Sequence, residues 1–421
     1  MRVLLKGAEI VDKNSLHHRS IKNVLIEDGV IKSINNEDHS ADTIIDGNGL
    51  MLSIGWFDMR TTIGEPGFEH KEDIESVCAA AAAGGFTEIA SLPNTQPVVQ
   101  SKNVVSFIKS KCREELVKVH PMAAVTHNRE GKEITEMMDL HYAGAVAFTD
   151  GDLPVWHSDV LLKTLQYLQT FDGLLINHAE DNHISHFGQM NESLESNMLG
   201  LKGIPKIAEE LMVERDLSIL KYTGGRIHFA HVSSPKSLEL IKQAKNEGHR
   251  VTCDVAAYQL MLDDTLVQSF DTNLKVNPPL RTLADIKLLI EGIASGIVDA
   301  IVSDHIPQDV ESKNLEFDLA EFGMIGLETA FGTLNNALSQ VMSIEHLLDK
   351  IAYAPRSILK VNVPTIEENS IVNLTLFDPS IEWIFENKHI KSKSKNTPFV
   401  GHTMKGRAKA VFHKNKYIIN Y

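Results

Sequence analysis

The chain has no run approaching the ~20 consecutive apolar residues that a membrane-spanning helix needs, so a bilayer is not the expected environment. It also lacks GxGxxG and GxxxxGK[ST] elements, and nothing therefore marks a bound nucleotide cofactor. Cysteine is scarce. Cys78, Cys112 and Cys253 lie far apart, without the paired spacing of a zinc ribbon or a disulfide frame. Basic clusters are missing too: 41 Lys and Arg are scattered among 56 Asp and Glu, and the net charge of −15 argues against a nucleic-acid partner. The opening MRVLLKGAEIVD alternates apolar and polar residues like an edge strand, and lacks the apolar core and cleavage site of a secretory signal. Together these features predict a soluble cytoplasmic protein. No repeat or low-complexity tract occurs beyond KSKSK at 391–395, which reads as a solvated loop.

At 421 residues the chain exceeds a typical single core, so one large domain with a smaller companion is expected. Residues 1–52 read as short strands and turns, with an Asp28-Gly29 hairpin signal in NVLIEDGVIKSI. SIVNLTLFD and KAVFHKNKYIINY, within 361–421, have the same texture, which predicts that the two ends pair into one small composite β-sandwich. Between them, over 53–360, eight strand-like runs recur: GWFDMRT, TEIASLP, VKVHPMAAV, GAVAFTD, GLLINHAE, RIHFAHVS, RVTCDVAA and DAIVSDH. Amphipathic stretches such as DIESVCAAAAAGG and SPKSLELIKQAKNEG separate them. This alternation predicts an α/β fold, a (β/α)8 TIM barrel closed by eight parallel strands.

Four of the runs end in a residue able to bind a metal or move a proton: Asp150, His178, His231 and Asp304. The C-terminal ends of barrel strands face one shared mouth, so these four are expected to converge. Asp150, His178 and His231 form a two-imidazole, one-carboxylate set that can hold zinc with a position open for water. A metal there makes hydroxide available near neutral pH, and Asp304 is placed to shuttle its proton as the catalytic group. Any one of them alone reads as a polar strand cap; four at four strand ends argue against coincidence.

Other polar residues carry weaker signals. Asn94 in SLPNTQPVV can hydrogen-bond a planar substrate or simply form a turn, and Asn277 in KVNPPLR divides evenly between the two roles. Arg281 reads as a structural salt-bridge former, and His228 as a packed core histidine one layer below His231. His305 is assigned equally to a supporting or a loop contact, while His70, His183 and His186 are expected at the surface.

The chain resembles a dihydroorotase of the amidohydrolase superfamily, of the class whose fourth-strand ligand is an aspartate. The likeness runs through EPGFEHKEDIESVCAAAAAGGFT, LPNTQPVV, GAVAFTDGDLPV, NHAED, HFAHVSS, KVNPPLR, VSDHIPQ, FGMIGLETA and KSKNTPF. It implies reversible ring closure of N-carbamoyl-aspartate to dihydroorotate in pyrimidine synthesis. It also implies that Asp150, His178 and His231 are metal ligands, that Asp304 is the proton shuttle, that Asn94 and Asn277 contact substrate, and that the protein is a homodimer. The departures cluster at the mouth. The family's first-strand histidine pair falls on Arg60 and Thr62, its substrate-clamping arginine on Gly64, a later histidine pair on Tyr258 and Gln259, and a final histidine on Gln308.

Arg60 puts a permanent cation where a metal would sit, so at most one zinc ion, or none, is expected. Losing the clamp at Gly64 forfeits a contact worth roughly 1.5–3 kcal/mol, unless Arg60 grips the substrate carboxylate instead. Arg60 is also placed to pair with Asp304 or Asp150, and pairing with Asp304 would weaken that base. Three outcomes follow from these substitutions: a dihydroorotase working with one metal, a catalytically silent relative that scaffolds aspartate transcarbamoylase, or a hydrolase of another cyclic ureide such as hydantoin or allantoin.

Overall fold

The computed structural model describes residues 1–420. Short, almost wholly buried runs form its central strands: Trp56–Thr61, Phe86–Ser91, Lys118–Pro121, Leu175–Asn177, Ile227–Phe229, Val251–Ala256 and Ala300–Val302. Ladders join the first three in parallel, and the last four likewise. The fourth predicted strand, GAVAF, contributes only isolated parallel bridges, Ala123 to Phe148 and Phe148 to Leu175. These link the two ladders on one side, and a parallel bridge from Thr61 to His305 joins them on the other. The eight predicted runs thus form a closed ring in chain order.

Local chemistry sets the helices between them. Asp73 caps helix Ile74–Gly84 by accepting from the Ser76 amide, while the Ser76 hydroxyl takes the Asp73 amide in return, satisfying two otherwise orphaned donors. The helix ends at Gly85 with φ of 97°, where a Cβ would lie 2.4 Å from the Trp56 ring. Only glycine combines that backbone with so close an approach. Its inner face buries Val77, Cys78, Ala80 and Ala81 against the barrel.

Both ends of the chain meet in one eight-stranded sheet. Met51–Ile54 lies at its centre, parallel to Arg2–Ile10 and antiparallel to Asn373–Ile384. Thr403–His413 and Lys416–Ile419 extend it on one side, and Ile21–Glu27 and Val30–Asn35 on the other. Trp56 ties the sheet to the barrel, its ring 4.5 Å from that of Phe331 and 5.4 Å from that of Phe377. Below the barrel, buried Glu88 accepts from Arg356 and Asn373, each at 2.8 Å, and faces His120 at 2.6 Å.

The KSKSK segment differs from its sequence reading. Its lysines point outward, but Ser392 and Ser394 are buried. Ser392 bonds to Glu72, the Lys393 amide donates to Glu72 at 3.0 Å, and Ser394 donates to the Lys71 carbonyl at 2.6 Å. The following Asn396 accepts from the Gln308 amide and donates to the carbonyls of Ile306 and Gly323. Every second residue of the stretch faces the barrel, so its high charge describes only the outer row.

Candidate functional site at the barrel mouth

The first strand delivers Arg60 inward, and its Nε donates to Asp304 Oδ1 at 2.7 Å. Its two Nη atoms reach the Gly151 carbonyl at 3.5 and 3.4 Å. The guanidinium therefore spans from the end of the eighth strand to the end of the fourth, across the barrel axis. Both partners in the ion pair are at most 2% exposed. Asp304 Oδ2 accepts from the Tyr258 hydroxyl at 2.8 Å and lies 3.5 Å from His231 Nδ1.

Burial alone would raise the Asp304 pKa, but His231, the Arg60 guanidinium and the Tyr258 hydroxyl beside it hold it well below the usual carboxylate range. His231 is pushed down to about 4 by burial and by the Arg60 charge. The hydrogen-bonded ion pair of Asp304 is the one to Arg60. The Tyr258 hydroxyl is raised well above its ordinary value by burial and by Asp304, which keeps it a donor. The backbone at His231 and Asp304 has φ of 38° and 48°, a region costly for side-chain-bearing residues. The His231 amide is held by Asp254 Oδ1 at 2.5 Å.

The remaining expected ligands look elsewhere. Asp150 gives both oxygens to Thr126, Oδ1 to the amide at 3.0 Å and Oδ2 to the hydroxyl at 2.6 Å. Burial lifts it to about 6 despite those bonds. His178 Nε2 faces Glu180 Oε2 at 3.0 Å, and Asn277 Nδ2 donates to the same carboxylate oxygen at 2.7 Å. Burial opposes ionisation of Glu180, yet the His178 hydrogen bond and charge bring it down to about 2. The His178 and His231 rings stand 4.8 Å apart, and both His231 nitrogens lack a hydrogen-bond partner.

This donor set does not fit a zinc ion. Among the described residues no three His, Cys, Asp or Glu side chains gather closely enough to hold a metal. The reasons are local: Asp150 is committed to Thr126, His178 to Glu180, and the centre between the strand ends holds the Arg60 cation. In this structure Asp150, His178 and His231, expected to share one cation, are not gathered around a common point. The four strand-end residues do sit at one mouth: His231 meets Asp304 on one side and the His178 ring on the other, while Asp150 turns away to Thr126.

Above this floor lies a cavity of about 360 Å³ whose walls include Thr62, Lys71, Asn94, Arg129, Asn277 and Gln308. Asn94 donates to Thr62 Oγ1 at 3.1 Å, and the Oδ1 atoms of Asn94 and Asn277 are buried without partners. Lys71 donates to Gln308 at 2.6 Å, and Arg129 pairs with Asp152. Arg60, for which the sequence suggests a substrate contact, lies beneath the cavity and is turned to Asp304 and the Gly151 carbonyl. Gly64 lies on the cavity wall with φ of 68°, and a Cβ there would meet the Glu72 carbonyl oxygen at 2.2 Å. The loop has closed over the position where the resemblance expects an arginine.

Several supporting residues carried little sequence signal. Thr126 sits 24 residues before Asp150, and no spacing rule links them. Glu180 had a signal, since it follows His178 by two residues. His228 is fully buried between Thr252 Oγ1 and Asp254 Oδ2, each at 2.8 Å, as a core histidine should be. His305 is fully buried, facing Glu72 at 3.4 Å in the loop before helix Ile74–Gly84 and accepting from the Gly326 amide at 3.2 Å, so the supporting and the loop readings coincide. Arg281 is structural, bonded to Ser233, Asn191 and the Ile204 carbonyl.

Residues 49–237 match the family model described as Dihydro-orotase-like. The chain is 40% identical over 410 residues to a dihydroorotase of Thermoanaerobacter sp. (strain X514), covering 96% of this chain and 94% of that one. It is 40% identical over 408 residues to a dihydroorotase of Acetivibrio thermocellus, covering 96% of each. Among solved structures, the L-hydantoinase (dihydropyrimidinase) of Arthrobacter aurescens superposes with a TM-score of 0.84 over 99% of this chain and 96% of its own, at 22% identity, which speaks to the fold. With sequence identity running almost end to end and the barrel architecture shared, the chain belongs to the dihydroorotase family.

Proposed function

We propose that this chain serves pyrimidine biosynthesis as a dihydroorotase-like cyclic amide hydrolase fold, its cavity taking dihydroorotate or N-carbamoyl-aspartate. The carrying observation is the near-full-length identity to dihydroorotases. In the hydrolytic direction water adds to the ring amide carbonyl, the ring C–N bond breaks, and the nitrogen leaves with a proton. Asn94 and Asn277 are proposed to orient the ring, their unpartnered Oδ1 atoms accepting its N–H groups. Lys71 and Arg129 supply positive charge at the wall for the substrate carboxylate. The domain division at about residues 52 and 360, a cytoplasmic location and a homodimer belong to the same proposal.

A second reading is favoured by one specific observation, the buried Arg60 to Asp304 pair. A carboxylate locked by a guanidinium and a tyrosine hydroxyl is a weak base. On this reading the chain is a catalytically silent dihydroorotase-like subunit, with aspartate transcarbamoylase as the partner it scaffolds. A dihydroorotate hydrolysis assay on purified protein, with metal analysis of the same sample, separates the two. Turnover supports the hydrolase; ligand binding without turnover supports the silent subunit.

A further inference from the structure

Three features of the mouth share one explanation. Asp304 is buried, and an unpaired carboxylate there would cost several kcal/mol. His231 Nδ1 lies 3.5 Å away, and neither nitrogen of that ring makes a hydrogen bond. Asp150, the other carboxylate at the rim of the floor, turns both oxygens to Thr126 rather than to the centre. The space between them is filled by the Arg60 guanidinium, bonded to Asp304 at one end and to the Gly151 carbonyl at the other.

We propose that Arg60 is a built-in cation: it neutralises and cross-ties the strand ends from inside the chain, so that the barrel mouth is complete without a divalent metal. A guanidinium suits this work better than an ammonium, because its planar array of donors engages two acceptors on opposite sides at once. The proposal concerns how the mouth is held together and stands whether or not the chain turns over substrate.

The test uses stability rather than activity. Thermal unfolding of the full chain is compared in chelator and in equimolar zinc. A double-mutant cycle then joins Arg60→Met, Asp304→Asn and the pair of substitutions. The expected result is the same melting temperature for the wild type in both solutions. In the cycle, each single substitution is costly and the double is less so than their sum, with a coupling of at least about tenfold in the folding equilibrium. If Arg60→Met does not yield folded protein, Arg60→Lys takes its place and the same coupling decides. A zinc-dependent rise in the wild-type melting temperature, or additive substitutions, overturns the proposal.

Discussion

Tyr258 donates its hydroxyl to Asp304 at 2.8 Å from the turn that follows the seventh strand. Both groups are buried, so no water can replace either side of this bond. Tyr258→Phe leaves the carboxylate one donor short, and a hydrogen bond to a charged group contributes roughly 1.5–3 kcal/mol. Urea unfolding should show a loss of that size. An unchanged midpoint would mean that Arg60 alone satisfies Asp304.

Arg356 and Glu88 form the corresponding pair at the opposite end of the barrel, 2.8 Å apart and buried. Glu88 is held well below the usual carboxylate range: burial opposes this, and His120 and Arg356 overcome it. Arg356→Ala strips away the guanidinium and leaves His120 and Asn373 as partners. Breaking a buried pair from one side typically costs about 3–5 kcal/mol. Calorimetry should therefore report a large fall in melting temperature, and a drop no bigger than that of a surface substitution would show the pair to be dispensable.

Gly64→Arg looks on paper like the restoration of a missing clamp. The structure predicts damage instead. A left-handed backbone costs a side-chain-bearing residue roughly 1–2 kcal/mol, and the Cβ would collide with the Glu72 carbonyl. The variant should be less stable than the wild type, with no gain in affinity for N-carbamoyl-aspartate in a calorimetric titration. Tighter binding at undiminished stability would show that the loop yields.

Asp216 supplies a pH signature away from the mouth. Burial raises it to about 6, against the lowering effects of Arg215 and Asn177. A carboxyl with a raised folded-state pKa binds its proton more tightly when folded, so its contribution to stability declines as pH rises from about 4 to about 6 and is flat above. The shift corresponds to about 3 kcal/mol. Asp216→Asn removes that slope. Relative to the wild type, the variant should become more favourable by about that amount between pH 4 and pH 7 in urea titrations; a pH-independent difference would place the pKa near its ordinary value.

Much of this architecture was readable in the residues. Each barrel run could be read because a buried parallel strand needs continuous apolar side chains, and its terminus shows as the first polar residue. GAVAFTD met that rule, yet it joins its neighbours through two bridges at Phe148 and backbone bonds of Val146, Ala147 and Thr149 rather than through a regular ladder, because strand pairing depends on neighbours that one segment does not specify. The convergence of His231 and Asp304 followed from barrel geometry. The turning away of Asp150 did not, since it depends on where Thr126 lies in space. Arg60 could be recognised as an intruding charge, and its choice of Asp304 over Asp150 was settled by packing. The KSKSK reading missed because composition averages over two faces, only one of which meets water.

The central position of Met51–Ile54 in the terminal sheet has a consequence for biosynthesis. Its partner on one side is made early, as Arg2–Ile10, but its partner on the other is Asn373–Ile384, more than three hundred residues later. During translation this apolar strand leaves the ribosome with a raw edge, and a raw edge invites association with other chains. The barrel can gather its staves as they emerge, but the seam that fastens beginning to end must wait for the last stretch of nascent polypeptide.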